Sequence, residues 1–424
     1  MRPENRYLEA APKVVLADRE STITIRPLSD HVRLQDGEEF EVTYVPTDGP
    51  NGSEKLRVKV AEGALRITRR FAGEQEHVLV AEQIGGQDRR LRGDFRVYSL
   101  REDLFSRLPY KGDVHMHSRY SDGVESPAYV AAACRRIGLD FMALTDHGQY
   151  APSLEAQRAF ESVAVDLRIY PGEEVHPPGN PTHIVNFGGR FSVNELFADS
   201  SYMQGVEAIA ARLPELPAGV DGKQYASSVW VFDRIRDAGG LGIFCHPDWF
   251  ADHRYQLPQP LAAYTLEQQP FDAYELVGGY ARVEAFSNNR QLARYADARA
   301  RGRRLPIVGV SDAHGCETGE LFGWYYTVVF SPSLDLPDLI GSIKDEWSVA
   351  VEALPGEVVR AYGPLRLIGY THFLLREVFP QHDLLCAQEG QFMLDHAAGK
   401  PGAAESLQLR KGSVAQLYEG YWGR

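Results

Sequence analysis

The sequence predicts an α/β protein made of an N-terminal β-sandwich, a central α/β barrel and a C-terminal helical extension. Three features predict this organisation. After Pro109, short alternating strands give way to strands that alternate with helices, which is the pattern of a parallel sheet or barrel. Histidines and carboxylates directly follow several of these later strands. Beyond Glu352 the sequence becomes helical and aromatic.

The length of the chain sets the number of domains. A chain of 424 residues exceeds one ordinary domain. We predict a β domain at residues 1–107, the barrel at 108–352 and the helical extension at 353–424. Irregular segments near residues 192–225 and 248–270 interrupt the barrel. Long insertions of this kind usually serve as lids or binding loops.

Alternation of apolar and polar residues marks the strands of the first domain. Ile23 and Ile25 alternate with polar neighbours, and so do Phe40, Val42 and Tyr44. Short strands separated by turns are typical of a small β-sandwich. The domain is expected to serve in packing or oligomerisation, or to help close the active site.

The central domain alternates strands with helices. Ser126 and Pro127 occupy the N-cap and first position of a helix that Gly138 ends. Another helix is predicted at residues 229–238, and strands at 140–144, 167–170, 183–187, 241–245, 281–286 and 305–310. The residues that lie just past a strand's carboxyl end are His147, Glu174, His246, Asp312 and His314. In α/β barrels that rim carries the site.

Composition excludes several classes of protein. The net charge is −13 with both signs interspersed, so no basic surface for nucleic acid is indicated. The N-terminus lacks a signal pattern, and no apolar run reaches bilayer length. We expect a cytoplasmic protein with a small-molecule substrate and no nucleic-acid or membrane partner, and we leave homo-oligomer formation open. Widely spaced cysteines fit free, mostly buried thiols in a reducing compartment, and they are Cys134, Cys245, Cys316 and Cys386.

His115 and His117 form a His-x-His pair after the first predicted barrel strand. Residues two apart on a strand point to one face, so both imidazoles face the same way. Asp122 follows in a Ser-Asp-Gly turn that could fold it back towards the pair. An isolated pair of this kind is more often a surface feature than a metal site, so its weight comes from the other candidates.

The full set of candidate ligands is His115, His117, Asp122, His147, Glu174, His183, His246, Asp312 and His314. Imidazole and carboxylate without thiolate favour zinc, manganese or iron. The set exceeds what one tetrahedral ion needs, so two or three divalent ions with a bridging carboxylate are expected. Such a cluster makes bound water acidic and stabilises both oxygens of a reacting ester, and hydrolysis is the expected chemistry. Taken singly, His246 could cap a strand and His183 could be a core imidazole.

Six motifs in order resemble the PHP (polymerase and histidinol phosphatase) superfamily: DVHMHSRYSDG, ALTDHG, PGEEV, a His ahead of a strand, CHP and GVSDAH. The resemblance spans roughly residues 110–350 and implies a distorted seven-stranded (β/α) barrel with up to three metal ions. YKGDVHMH and GLDFMALTDH look most like the metallohydrolase branch that includes carbaryl hydrolases, which also carry β structure ahead of the barrel. Most of that branch is assigned only as candidate phosphoesterases, so the substrate stays open.

The resemblance implies a division of the ligands among three ions: His115, His117, Glu174 and Asp312 for the first, His183 and His246 with Glu174 as the bridge for the second, and Asp122, His147 and His314 for the third. The third ligand of the family varies between His and Asp. Glu174 matches the family's Gly-x-Glu, but the adjacent Glu173 leaves a one-residue ambiguity. His176 is an extra imidazole without an assigned role.

Catalytic and substrate-binding roles are also assigned. Asp312 and His314 are expected to act in catalysis together with Arg119, which lies in the first metal loop. Arg119 and Arg254 are candidates to bind substrate because the planar guanidinium suits phosphate, although a lone loop Arg is more often a solvated surface residue. Glu284, in RVEAFSNN, is expected to support a ligand rather than to bind metal.

The first hypothesis is a metal-dependent phosphoesterase that hydrolyses a small phosphorylated metabolite through attack of a metal-bridging hydroxide. The alternative is hydrolysis of a carboxylic ester, carbamate or amide at the same site. A third hypothesis is a non-catalytic, metal-stabilised binding module, and a nuclease is disfavoured by the acidic charge. A Gly-x-Ser-x-Gly elbow, a P-loop and a Gly-x-Gly-x-x-Gly helix start are all missing from the sequence.

Overall fold

The computed structural model describes residues 7–48, 52–85 and 91–424 of the chain. The first six residues, on which the prediction of no signal pattern partly rests, lie outside the described residues. Two compact units divide the chain, and their segments are Met1–Arg107, Gly369–His382 and Gly412–Arg424 for the first and Leu108–Ile368 and Asp383–Lys411 for the second. The C-terminal helices therefore contribute to both units. The three-domain boundaries expected from the sequence stay a prediction.

The first unit begins with eight strands and a short helix: β1 (Leu8–Ala11), β2 (Val14–Leu16), β3 (Glu20–Pro27), β4 (Glu39–Pro46), β5 (Glu54–Lys59), β6 (Leu65–Arg70), β7 (Gln75–Ile84), β8 (Arg92–Leu100) and α1 (Glu102–Phe105). They form a three-stranded sheet in the order β1-β3-β6 and a five-stranded sheet in the order β2-β8-β7-β4-β5. Ile23 and Ile25 from the first sheet share a buried core with Phe40 and Val42 from the second. This is the β-sandwich that the alternation predicts.

The second unit continues with strands, helices and a β-hairpin up to residue 362: β9 (Leu108–Asp113), α2 (Pro127–Arg136), β10 (Phe141–Ala143), α3 (Ala151–Phe160), β11 (Arg168–Tyr170), β12 (Gly172–Val175), β13 (Ile184–Phe187), α4 (Ser200–Ala210), α5 (Gly222–Asp237), β14 (Leu241–Phe244), β15 (Phe250–Ala251), β16 (Arg254–Tyr255), α6 (Gln259–Gln268), β17 (Ala273–Val277), α7 (Ala285–Ala300), β18 (Ile307–Gly309), β19 (Tyr325–Ser331), α8 (Leu336–Lys344), β20 (Ser348–Glu352) and β21 (Arg360–Tyr362).

Two sheets organise this unit, in the orders β11-β10-β9-β19-β20-β21 and β12-β13-β14-β17-β18. The pairs β9–β10, β10–β11, β14–β17 and β17–β18 are parallel, whereas β12–β13–β14 and β9–β19–β20–β21 pair antiparallel. Single β-bridges join the two sheets, between Met116 and Ala313 and between His147 and Glu174. The α/β class is therefore confirmed, while closure as a seven-stranded barrel stays a prediction.

The strand expected at residues 281–286 is wrong. Residues Arg282–Glu284 form a 3-10 turn that leads into α7, and Val283 is 86% exposed. The strand lies upstream as β17, whose five residues are all buried. The strand ends at Val277. The next residue is Gly278 (φ +147°), where a Cβ atom would lie 1.8 Å from the carbonyl oxygen of Val310. The apolar run that ends before Gly278 predicts a buried strand better than residues 281–286 do. The later residues leave apolar side chains exposed to solvent.

The two predicted insertions contain regular structure. The first holds a 3-10 turn (Asn194–Ala198), α4 and the start of α5. Tyr202 of α4 packs edge-on against Trp230 of α5, with ring centroids 5.0 Å apart. The second insertion holds the β15–β16 hairpin and α6. Both segments therefore add packed structure to the unit.

Four helices complete the chain: α9 (Leu365–Glu377), α10 (Phe379–Ala397), α11 (Ala403–Arg410) and α12 (Ser413–Trp422). A buried ion pair attaches α10 within the second unit, where Arg135 Nε of α2 donates to Glu389 Oε2 at 2.7 Å. The same guanidinium donates through Nη1 to Asp140 Oδ1 at 3.0 Å and to the carbonyl oxygen of Leu139 at 2.9 Å. Among the described helices, none is long and apolar enough to cross a bilayer.

Candidate metal centre

The His-x-His segment lies beside the segment that carries Asp312. The backbone N–H of Asp312 donates to the carbonyl oxygen of His115 at 2.8 Å, and His117 N–H donates to the carbonyl oxygen of Ala313 at 2.9 Å. Asp312 Oδ1 is thereby placed 2.8 Å from His117 Nε2 and 3.3 Å from His115 Nε2. All three donor atoms converge, as the sequence predicts.

Glu174 lies at the centre of the cluster and is fully buried. Its Oε2 atom is 3.5 Å from His115 Nε2 and 3.6 Å from His117 Nε2. Its Oε1 atom is 2.8 Å from His183 Nδ1 and 3.5 Å from His246 Nε2. The two carboxylate oxygens therefore face two different groups of imidazoles, and the bridging role of Glu174 stays a prediction.

Glu173 points to a different environment. Its carboxylate accepts hydrogen bonds from Ser192 Oγ at 2.7 Å, from the Val193 backbone N–H at 2.5 Å and from Asn194 Nδ2 at 2.8 Å. Consecutive residues on β12 face opposite sides, so only one of the two acids can join the histidines. The geometry places Glu174 in that position.

A third group of donors lies on the more exposed side. Asp122 lies 3.4 Å from His147 Nε2 through Oδ2 and 3.3 Å from His314 Nε2 through Oδ1. Asp146 holds the loop that returns Asp122, since its Oδ1 accepts the backbone N–H groups of Ser118 and Ser121 at 2.9 and 3.1 Å. Asp146 therefore orients this loop.

His246 and Asp312 both have left-handed backbones, with φ values of +22° and +52°. Non-glycine residues adopt such angles at a cost of about 1–3 kcal/mol, and they persist where the surroundings hold them. The loop that carries His246 is held by the buried Asp248, two residues later. Its carboxylate accepts hydrogen bonds from Arg294 Nε at 2.8 Å and from Arg290 Nε at 3.1 Å, and both arginines lie on α7. Helix α7 therefore holds the loop that presents His246.

Sequence reasoning missed Glu275 on β17. Its Oε2 atom lies 3.1 Å from His115 Nδ1, and both side chains are fully buried. A carboxylate on the far nitrogen fixes the ring orientation and raises the basicity of the nitrogen that faces a metal. Glu275 therefore contacts a candidate ligand, as was expected of Glu284. A glutamate inside the apolar run AYELV was the available signal.

Glu275→Gln is expected to weaken metal binding by about 10–100-fold, because the neutral amide loses the charge that stabilises the His115 orientation. The affinity can be measured by competition between the protein and a chromophoric chelator for Zn²⁺. Glu284→Gln, a change of the same kind outside the cluster, serves as the control. Equal affinities for the Glu275 and Glu284 variants would contradict the assigned role.

Charges within the cluster compensate one another. Burial opposes protonation of His115, but Asp312 and Glu174 hold the pKa of its imidazole well above the usual value. Burial would raise the pKa of Glu174, but the neighbouring imidazoles, His115 foremost, keep it well below its usual range. A divalent ion would replace the shared protons, since ligands must be deprotonated to bind.

Several donor atoms of the cluster fit a bound cation. Within the described residues, His115 Nε2, His183 Nδ1 and both carboxylate oxygens of Glu174 are buried without a hydrogen bond of good geometry. Groups of donor atoms that could hold an ion include His115–His117–Asp312, His115–Glu174–His246 and His117–Asp122–His147–His314. Buried polar atoms are costly when unsatisfied, so the donor set fits divalent metal ions.

The two arginines assigned to substrate lie outside this group. Arg119 is exposed, and its guanidinium carbon is 5.9 Å from the ring centroid of Tyr120. Arg254 is exposed on β16 of the hairpin. Neither has an ion pair with the cluster in the described part of the chain, so their contacts with substrate stay predictions.

No protein-family model matches the chain. A stretch of 68 residues, 15% of the chain, is 43% identical to DNA polymerase/3'-5' exonuclease PolX of Bacillus subtilis (strain 168), of which it covers only 12%. A two-domain protein containing a predicted PHP-like metal-dependent phosphoesterase, from Bacteroides vulgatus ATCC 8482, matches with 18% identity and a TM-score of 0.38 over 58% of this chain and 65% of that chain. A putative metal-dependent phosphoesterase from Bifidobacterium adolescentis ATCC 15703 matches with 19% identity and a TM-score of 0.33 over 48% and 87%.

The names of both solved structures include a metal-dependent phosphoesterase, and one of them includes PHP, the superfamily that the sequence motifs resemble. With TM-scores below 0.5, these likenesses carry no argument about this chain, which spans only 12% of the PolX polymerase that it matches. The donor set and the ordered motifs point to one class of protein, the metal-dependent hydrolases of the PHP type, and this class is taken up below as a proposal. The relationship to carbaryl hydrolases stays a prediction.

Proposed function

We propose that this chain is a metal-dependent phosphoesterase that hydrolyses a small phosphorylated metabolite at a site of two or three divalent ions. The observation that carries the proposal is Glu174, a fully buried carboxylate with imidazoles facing each of its oxygens. Two ions joined in this way can stabilise the attacking and leaving oxygens of a phosphate ester. Zinc, manganese and iron all suit the donors.

The chain's own residues would position the reaction. When bound, the ions would supply Lewis-acid stabilisation and lower the pKa of water. His115, His117 and Glu174 are buried and would form the floor of the site. Asp122 and His314 have half-exposed side chains and lie on the side where substrate can enter. We propose that Asp312 and His314 act in catalysis.

Two exposed arginines are proposed to hold the phosphate of the substrate. Arg119 follows the His-x-His pair, and Arg254 is presented by the hairpin that follows His246. A guanidinium donates two parallel hydrogen bonds to a phosphate, which adds orientation to charge attraction.

A second candidate function is hydrolysis of a carboxylic ester, carbamate or amide. Trp249 favours it, because its ring lies 5.8 Å from the His246 ring and 6.1 Å from the His183 ring. An indole beside two of the candidate ligands offers an apolar surface that suits an uncharged leaving group better than a metabolite phosphate.

The proposal is tested with p-nitrophenyl phosphate and protein reloaded with Mn²⁺. The wild type is expected to release p-nitrophenol, and chelation of the metal should stop the release. The Asp312→Ala variant provides the blank. The second function would be supported instead if the wild type did not hydrolyse the phosphate monoester but cleaved p-nitrophenyl acetate or an aryl carbamate.

A further inference from the structure

The imidazole of His176 faces the cluster although no motif assigns it a role. It follows β12, two residues after Glu174, and its ring stacks on the His183 ring with centroids 4.1 Å apart. The His147 ring meets it at 4.7 Å and 61°. Its backbone N–H donates to Asn194 Oδ1 at 3.2 Å, which holds the end of the strand. His176 is therefore packed between two candidate ligands.

Three donor atoms meet at this point. His176 Nε2 lies 3.0 Å from His147 Nδ1 and 3.5 Å from Glu174 Oε2. His147 Nδ1 and Glu174 Oε2 are 2.5 Å apart. Bond lengths of about 2.0–2.1 Å to zinc place neighbouring donors roughly 2.9–3.4 Å apart, depending on the coordination angle. The two distances from His176 are close to this range.

His147 faces donors with both of its nitrogens. Its Nε2 atom points to Asp122 Oδ2 at 3.4 Å, and its Nδ1 atom points to His176 and Glu174. A neutral imidazole offers one nitrogen as a ligand, because the other carries the proton. An ion beside His176 and an ion beside Asp122 would therefore compete for His147.

We infer that His176 is a tenth metal ligand, which with His147 and Glu174 forms an additional position for one divalent ion on the inner side of His147. The inference rests on the proposed function only in that the cluster is taken as a metal centre. The additional position is the preferred position of the ion that would otherwise bind at Asp122 and His314. The site then holds that ion more tightly than the nine ligands alone would.

A purely structural role for His176 makes a different prediction. If His176 only held the His147 ring through a hydrogen bond, His176→Gln would restore what His176→Ala loses, because the amide can still donate or accept. A metal ligand is not restored in this way, since the amide is a much poorer ligand for zinc or cobalt than imidazole.

The experiment is a Co²⁺ titration of metal-free protein, followed by visible absorbance and by competition with a chelator. Wild type is expected to bind one class of ion about 10–100-fold more tightly than both His176→Ala and His176→Gln. His253→Asn, at an exposed hairpin histidine, should titrate like wild type. Circular dichroism confirms that each variant is folded.

Two results would overturn the inference: a wild-type isotherm for both His176 variants, or full recovery in His176→Gln. The proposed function is judged separately. If Co²⁺ binding depends on His176 but the wild type cleaves no phosphate ester, the proposed activity fails and the assignment of the ligand stands.

Discussion

Asp312→Ala is expected to remove at least one bound ion per chain and to lower hydrolysis by more than about 100-fold. Its carboxylate reaches the imidazoles of both the His-x-His pair and the loop after β14, at 2.8 Å from His117 Nε2 and 3.8 Å from His246 Nε2. Without it, the adjacent imidazoles lose the anionic donor that binds the ion with them. His115→Ala should give the same loss.

Metal content by mass spectrometry and turnover of p-nitrophenyl phosphate check this expectation together. Asp297→Ala removes an exposed carboxylate on α7 and is the matched control. Thermal unfolding of each variant shows whether the fold is kept. Full metal content in folded Asp312→Ala and His115→Ala would contradict the assignment of the ligands.

Glu389→Ala is expected to lower the free energy of unfolding by about 3 kcal/mol, because it leaves the buried Arg135 without its closest carboxylate. Arg135 is fully buried, and its Nε donates to Glu389 Oε2 at 2.7 Å. Asp140 remains within 3.0 Å and limits the loss. Glu389 Oε1 also accepts the backbone N–H of Asp166 at 2.5 Å, so a second interaction is lost with the same change.

Urea unfolding followed by tryptophan fluorescence measures the change in free energy. Glu405→Ala, which removes an exposed glutamate from α11, should leave the midpoint of unfolding nearly unchanged. An equally small shift for Glu389→Ala would mean that the ion pair contributes little to stability.

The sequence predicted which side chains lie close together better than it predicted the strands around them. Histidine and aspartate residues that follow several successive strands are easy to recognise in a sequence. Chance seldom places so many side chains that can bind metal at the ends of strands. His147 and His314 are predicted in this way although they are 167 positions apart in the chain, and the structure places their ring centroids 6.0 Å apart. The distances among them depend on the register of two sheets, which no local pattern specifies.

Two errors have physical causes. Glu275 was missed because its role depends on a contact with a residue 160 positions away in the chain. The strand predicted at residues 281–286 is wrong because a 3-10 turn running into a helix can also give alternating apolar and polar residues over a short stretch. The choice between Glu173 and Glu174 needed the hydrogen-bond partners of both side chains.

The shared use of the C-terminal helices has a practical consequence for shortened forms of the gene. A protein that stopped at residue 364 would lose Asp383, which accepts from the buried Lys111 Nζ at 2.8 Å, together with Glu389. It would also lose Tyr370 and Phe373, whose rings contact Tyr98 at 5.0 and 5.3 Å in the first unit. Expression trials that seek a minimal catalytic fragment should therefore keep the tail, because its removal exposes buried charge in one unit and apolar surface in the other.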